Sequence, residues 1–138
     1  MTIDGTQQDI VDTFELFDDW MDRYQYLIDL GKQLPELSSE DMTEANLVSG
    51  CQSQVWLIAD VKENKLQFRA HSDAAIVAGL IALLMQIYSN RSAAEILDST
   101  PWFVDKIGLG KHLSPTRANG LASMLAAINR HAEFAQTS

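Results

Sequence analysis

The stretch "QVWLIADVKENKLQFRAHSDAAIVAGLIALLM", Gln54 to Met85, decides the fold class. Residues Gln54 to Val61 are rich in β-formers. Leu66, Phe68 and Ala70 alternate with Gln67, Arg69 and His71, which predicts a strand buried on one face. Glu63-Asn64 between the two runs predicts a hairpin turn. The pattern then changes period. After Ser72 or Asp73, either of which is a suitable helix cap, Ile76, Leu80, Leu83, Leu84 and Ile87 form a wide apolar stripe. The run Ala74 to Met85 is shorter than the roughly 18 apolar residues that a bilayer span needs, so it reads as a buried core helix.

Working outward, apolar positions at helical spacing over Ile10–Phe17 and Trp20–Leu34 predict a helical pair ended by Pro35. "PELSSEDMTEAN" follows as a polar loop or short helix whose length suggests mobility, with Ser38 or Ser39 as its cap. Leu47 to Ser49 is a candidate third short strand. Beyond the central helix, "SAAE" at Ser92 is a capping box, and Thr100-Pro101 and Ser114-Pro115 each place a cap before a proline at a helix start. The last helix is expected to run to about Phe134. No repeat or low-complexity segment divides the chain, so residues 1–138 are expected to form a single α+β domain. Its architecture is a small antiparallel sheet of about three strands packed against helices in two layers. At this length a chain buries roughly two thirds of its unfolded surface and needs no covalent staple.

The net charge of −9 is uneven. Residues 1–44 hold twelve acids against Arg23 and Lys32, whereas 45–138 hold seven acids against eight bases. Such a chain repels phosphate backbones, which argues against nucleic-acid binding, and the acidic third reads as a solvated helix face. The start, "MTIDGTQQDIVDTFELFDDW", has no basic segment, apolar core or small-residue cleavage site, so a cytoplasmic location without membrane attachment is expected. The sequon at Asn90 carries no weight there.

The single cysteine, Cys51, lies in "NLVSGCQSQVWL" between a polar loop and a strand. A free cysteine is often a small buried hydrophobe, but a core position normally has apolar neighbours, and here they are Ser49, Gly50, Gln52 and Ser53. Metal binding is disfavoured because no C-x-x-C is present and His71, His112 and His131 are scattered. A Cys-His hydrolase, with His71 or His112 as base and Asp73 as orienter, has no local signature. His71 otherwise reads as an outward strand residue and His131 as a solvated residue near the end of the last helix. The remaining chemistry needs one thiol alone: exchange of sulfur with a partner's cysteine. A binding module with a buried Cys51 is the rival from another class.

Four stretches carry a family resemblance: "YQYLIDLGKQLPEL", "NLVSGCQSQVWL", "SDAAIVAGLIALL", and "PWF" with "IGLGKHLSPTRANGLASML". Together they resemble the SufE family, sulfur acceptors that work beside a PLP-dependent cysteine desulfurase. The resemblance implies the fold shared with the scaffold IscU and a persulfide on Cys51. It also implies desulfurase stimulation, delivery of sulfur to an iron–sulfur scaffold complex of the SufBCD kind, and no cofactor bound by this chain, since the PLP belongs to the SufS-like desulfurase. A paralogous acceptor for a different desulfurase, of the CsdE kind, fits the same residues. By the same resemblance Ser49, Gly50, Gln52, Asp73 and Arg117 lie near the cysteine loop or on the docking surface. Met42 stands where a basic residue is expected in the family's pattern, and Met1 to Asp19 carries no family motif.

Overall fold

The computed structural model describes residues 1–137. Helices α1 (Ile3–Glu15) and α2 (Trp20–Lys32) lead through a loop and a short 3-10 turn (Glu44–Asn46) into strands β1 (Val55–Lys62) and β2 (Lys65–Ser72). They are followed by α3 (Ala75–Tyr88), α4 (Ala93–Asp98), α5 (Phe103–Ile107), α6 (Leu109–His112) and α7 (Pro115–Thr137).

The hairpin forms as its sequence requires. Glu63 and Asn64 both take positive φ (54° and 65°), the geometry of a tight turn whose twist matches its strands, and the register runs from Lys62↔Lys65 to Val55↔Ser72. Val55, Leu57, Leu66, Phe68 and Ala70 put the apolar face inward. Among the described residues the sheet has two strands. The expected third piece is present only as an isolated bridge, Leu47↔Trp56, with the Val48 N–H donating to the Val55 carbonyl at 2.8 Å. It cannot lengthen because Gly50 turns the chain away at φ 91°.

Helix α3 is the centre of the molecule. Leu80, Leu83, Leu84 and Ile87 are all at most 1% exposed, whereas Ile76 is only partly buried. Helices α1, α2 and α7 and strand β2 all pack on it. Helix α2 comes so close that a Cβ built on Gly79 would lie 2.1 Å from the Leu27 carbonyl oxygen, and one on Gly31 would lie 2.8 Å from the Gly79 nitrogen. Both positions require glycine for that reason.

The capping box at Ser92 is present in both directions, each bond 3.2 Å. Ser114-Pro115 opens α7, with the Arg117 N–H donating to Ser114 Oγ. Two helix starts differ from expectation. Helix α3 begins at Ala75 behind Ala74 with no side-chain cap, because Ser72 Oγ accepts from the Ala74 N–H instead and Asp73 is exposed. Helix α5 starts at Phe103 rather than Pro101, because Gln7 reaches across from α1 to hold the turn between them.

That glutamine ties down the segment before Asp19. Fully buried, Gln7 donates through Nε2 to the Thr100 carbonyl and accepts at Oε1 from the Phe103 N–H, both at 3.1 Å. Arg91 adds bonds to the Met1 carbonyl and to Thr6 Oγ1. Helix α1 therefore begins at Ile3, seven residues before the first expected helical position, Ile10. Replacing Gln7 by Leu strands a buried N–H and a carbonyl, so Gln7→Leu is expected to cost about 2 kcal/mol in denaturant unfolding. Loss below about 0.5 kcal/mol would show that the two bonds do not anchor α1.

The loop from Pro35 is tied to the hairpin through Asp41. Arg69 bonds Asp41 at 2.9 Å and Asp60 at 3.3 Å, and Asn46 Nδ2 donates to the Asp41 carbonyl at 2.8 Å. Among the described residues no helix is long and apolar enough to cross a membrane. Asp9, Asp12, Glu15, Asp18, Asp19, Asp22 and Asp29 are exposed on the first two helices and their connection, as a solvated acidic face requires.

Candidate functional site around Cys51

The Val48–Val55 hydrogen bond closes a six-residue loop, Ser49 to Gln54, at the mouth of the hairpin. Ser49, Gly50 and Gln52 are exposed on it. Cys51 is neither exposed nor a core residue: half-buried, it turns back toward the N-terminal part of α7, where its Sγ donates to the Gly120 carbonyl at 3.6 Å. The thiol lies in a shallow depression walled by Thr116, Arg117, Gly120 and Met124 of α7 and by Val77 of α3, with Gln52 and Ser53 at its rim. Its free volume is about 20 Å³, enough for one atom-sized guest.

Burial pushes the Cys51 thiol above its ordinary pKa. The tucked thiol is thus held protonated and poorly nucleophilic at neutral pH, because the thiolate is the attacking form. Alkylation of native Cys51 by iodoacetamide is expected to follow a pH profile with its midpoint above the ordinary thiol value, and the unfolded chain is expected to return to that value. Coincident profiles would show that the loop does not bury the thiol. A raised folded-state pKa also means that the thiol's contribution to stability is full below the unfolded value. It is lost as pH rises through the folded one.

Of the residues expected near the loop, Arg117 lines the same depression as Cys51, with its side chain exposed. Ser49, Gly50 and Gln52 are on the loop itself. Asp73 does not line the depression and is exposed in the turn before α3, four residues ahead of Val77. The histidines are not gathered there. His71 stacks on Trp56 at 6.0 Å, and His112 stacks on Trp20 at 4.0 Å while its carbonyl accepts from the Tyr24 hydroxyl. Neither lines the depression, so the geometry of a Cys-His hydrolase is not assembled among the described residues.

His131 departs from the solvated position expected for it. It is half-buried with its ring edge-on to Phe68 at 6.2 Å, and burial, aided by neighbouring Arg130, holds the imidazole below its ordinary pKa. It lines a separate open cleft of about 550 Å³ with Arg130 and Phe134. Among the described residues no group of three or more His, Cys, Asp or Glu side chains is placed to hold a metal ion.

Sequence reasoning missed four residues of the wall of the site: Val77, Thr116, Gly120 and Met124. One signal was available, since Gly120 interrupts the helical run "TRANGLASML", and a glycine inside a helix often marks a close approach by another part of the chain.

Comparison with known proteins assigns the chain to a family. Residues 8–132 match the family described as "SufE: Fe-S metabolism associated domain". An uncharacterized SufE-like protein of Rhizobium meliloti (strain 1021) is 47% identical over 130 residues, covering 90% of this chain and 92% of that protein. Another from Rhizobium etli is 47% identical over 130 residues, covering 90% of this chain and 87% of its own length. The solution structure of a hypothetical protein from Thermus thermophilus superposes with a TM-score of 0.79 at 24% identity, covering 96% of this chain and 97% of that one, which establishes the shared fold. By the extent of the family match and the identity to these relatives, the chain belongs to the SufE family of domains associated with Fe–S metabolism.

Proposed function

We propose that this protein is the sulfur-accepting partner of a PLP-dependent cysteine desulfurase, with Cys51 as the acceptor. The observation that carries the reading is a free thiol on a short surface loop, in a chain of the SufE family. In the proposed step the Cys51 thiolate attacks the outer sulfur of the desulfurase persulfide. A new S–S bond forms on Cys51, the enzyme's S–S bond breaks, and the desulfurase cysteine leaves as a thiolate. The transfer exchanges one persulfide for another and needs no oxidant or reductant. The carried sulfur then passes to an iron–sulfur scaffold complex.

The tucked thiol answers two opposed needs. A carried persulfide is easily oxidised or exchanged and benefits from shelter, whereas attack requires an exposed thiolate. Docking would draw the loop out of the depression, restore the ordinary acidity of the thiol and bring it within reach of the partner's sulfur. Ser49, Gly50, Gln52 and Arg117 would form the docking rim, with Asp73 at its margin. This chain would bind no PLP, and its place would be the cytoplasm. A SufS-like desulfurase is the preferred partner over one served by a CsdE-like acceptor, and stimulation assays with each desulfurase separate the two.

Intact-mass spectrometry under non-reducing conditions, after incubation with a desulfurase, PLP and cysteine, tests the reading. The expected product is a species one sulfur atom heavier that reverts on reduction. No added sulfur with a competent desulfurase would overturn the assignment and favour a binding module.

A further inference from the structure

We propose that Ser123 and Gly120 of α7 are positioning residues for the Cys51 thiol, Ser123 acting through Gly50 to latch the cysteine loop onto the helix. The proposal rests on the sulfur-acceptor reading of Cys51 and adds what sets the exposure of its thiol.

Two contacts at consecutive loop residues carry it. At Cys51, Sγ bonds the Gly120 carbonyl at 3.6 Å, and a Cβ on Gly120 would stand 3.8 Å from the sulfur. At Gly50, a Cβ would fall 2.5 Å from Ser123 Oγ and 3.4 Å from Ser123 Cβ. Residues three apart on a helix share a face, so Gly120 and Ser123 present adjacent contact points to adjacent loop residues. Gly50 is required twice over: by its φ of 91° and by the Ser123 side chain lying where its Cβ would be. The loop can lie down only while Gly50 fits against Ser123, and when it lies down the thiol reaches the Gly120 carbonyl. Bulk added on either side of the Gly50–Ser123 contact therefore lifts the loop and exposes the sulfur, although neither residue touches the reacting atoms.

The effect of Gly50→Ala alone is ambiguous, since strain at positive φ would also disturb the loop. Pairing it with Ser123→Ala separates the causes, because only the steric part depends on the serine hydroxyl. The measurement is the rate of iodoacetamide alkylation of Cys51 in the full-length protein at neutral pH, with its pH profile, for Gly50→Ala, Ser123→Ala, the double variant and Ser123→Val. Circular dichroism checks the fold of each.

Gly50→Ala is expected to accelerate alkylation about tenfold and to move the profile midpoint down toward the ordinary thiol value. Ser123→Ala alone should stay close to the parent, and in the double variant the rate should fall back part of the way. Ser123→Val leaves the loop sequence intact and should also accelerate alkylation, which keeps the test decisive if Gly50→Ala does not fold. Equal rates for Gly50→Ala and the double variant, or an unchanged rate and midpoint for Ser123→Val, would overturn the latch. Persulfide formation on the same variants is scored separately by intact mass. If sulfur loads normally while the alkylation pattern fails, the latch falls and the acceptor reading stands. If the alkylation pattern holds and no variant or parent takes up sulfur, the latch stands and the acceptor reading falls.

Discussion

Cys51→Ser is expected to abolish stimulation of the partner desulfurase, returning turnover to that of the desulfurase alone, while leaving the fold unchanged. The hydroxyl is smaller than the thiol and can still donate toward the Gly120 carbonyl. The side chain is only half-buried, so the stability change should stay within about 1 kcal/mol. The chemistry has no such tolerance, because an alcohol cannot carry a sulfane sulfur. Steady-state sulfide release with and without the variant measures the effect. A variant that still stimulates would show that this protein activates its partner by binding alone and would remove Cys51 from the mechanism.

Gly79→Ala is expected to be the most destabilising single-methyl change in the molecule. The added carbon would meet the Leu27 carbonyl carbon and oxygen at 2.5 and 2.1 Å. These are backbone atoms of α2 and cannot swing aside as a flexible side chain does. Helix α2 must move away from α3, opening the contact around Leu27, itself fully buried. The better helix propensity of alanine returns up to about 1 kcal/mol. The net loss should still be about 3 kcal/mol, lowering the melting temperature by about 10 °C. A melting temperature within about 2 °C of the parent would mean that the two helices are less tightly apposed than described.

The contrast between these glycines and the hairpin explains how far the sequence could be read. The alternation of Leu66, Phe68 and Ala70 and the turn at Glu63-Asn64 are local signals, and the hairpin follows them residue by residue. The α3 stripe and the box at Ser92 are legible for the same reason. The failures are long-range. Gln7 looks like any surface glutamine until α5 is brought across it, and α1 is invisible before Ile10 because its anchoring partners lie about ninety residues away at Arg91, Thr100 and Phe103. Gly31 and Gly79 reveal their role only when their helices meet. At the site, Cys51 and its polar neighbours stand out in sequence, and Arg117, expected there from the resemblance, lines the depression. That the thiol rests on Gly120 and Gly50 on Ser123 is a consequence of packing α7 against the loop, about seventy residues distant.

The hairpin's covered edges have a consequence for association. Isolated two-stranded sheets are marginal, and open strand edges invite pairing with other chains. Here the outer edge of β2 is occupied at its start by Asn90 and Arg91, which exchange backbone bonds with Leu66, and Ser89 Oγ accepts from the Phe68 N–H. The outer edge of β1 is occupied at its start by Leu47 and Val48. Both coverings lie outside the Ser49–Gln54 loop. If docking draws the loop out as proposed, the first residues of both strands stay covered, and repeated encounters need not leave behind the sticky, half-open molecules that nucleate aggregates.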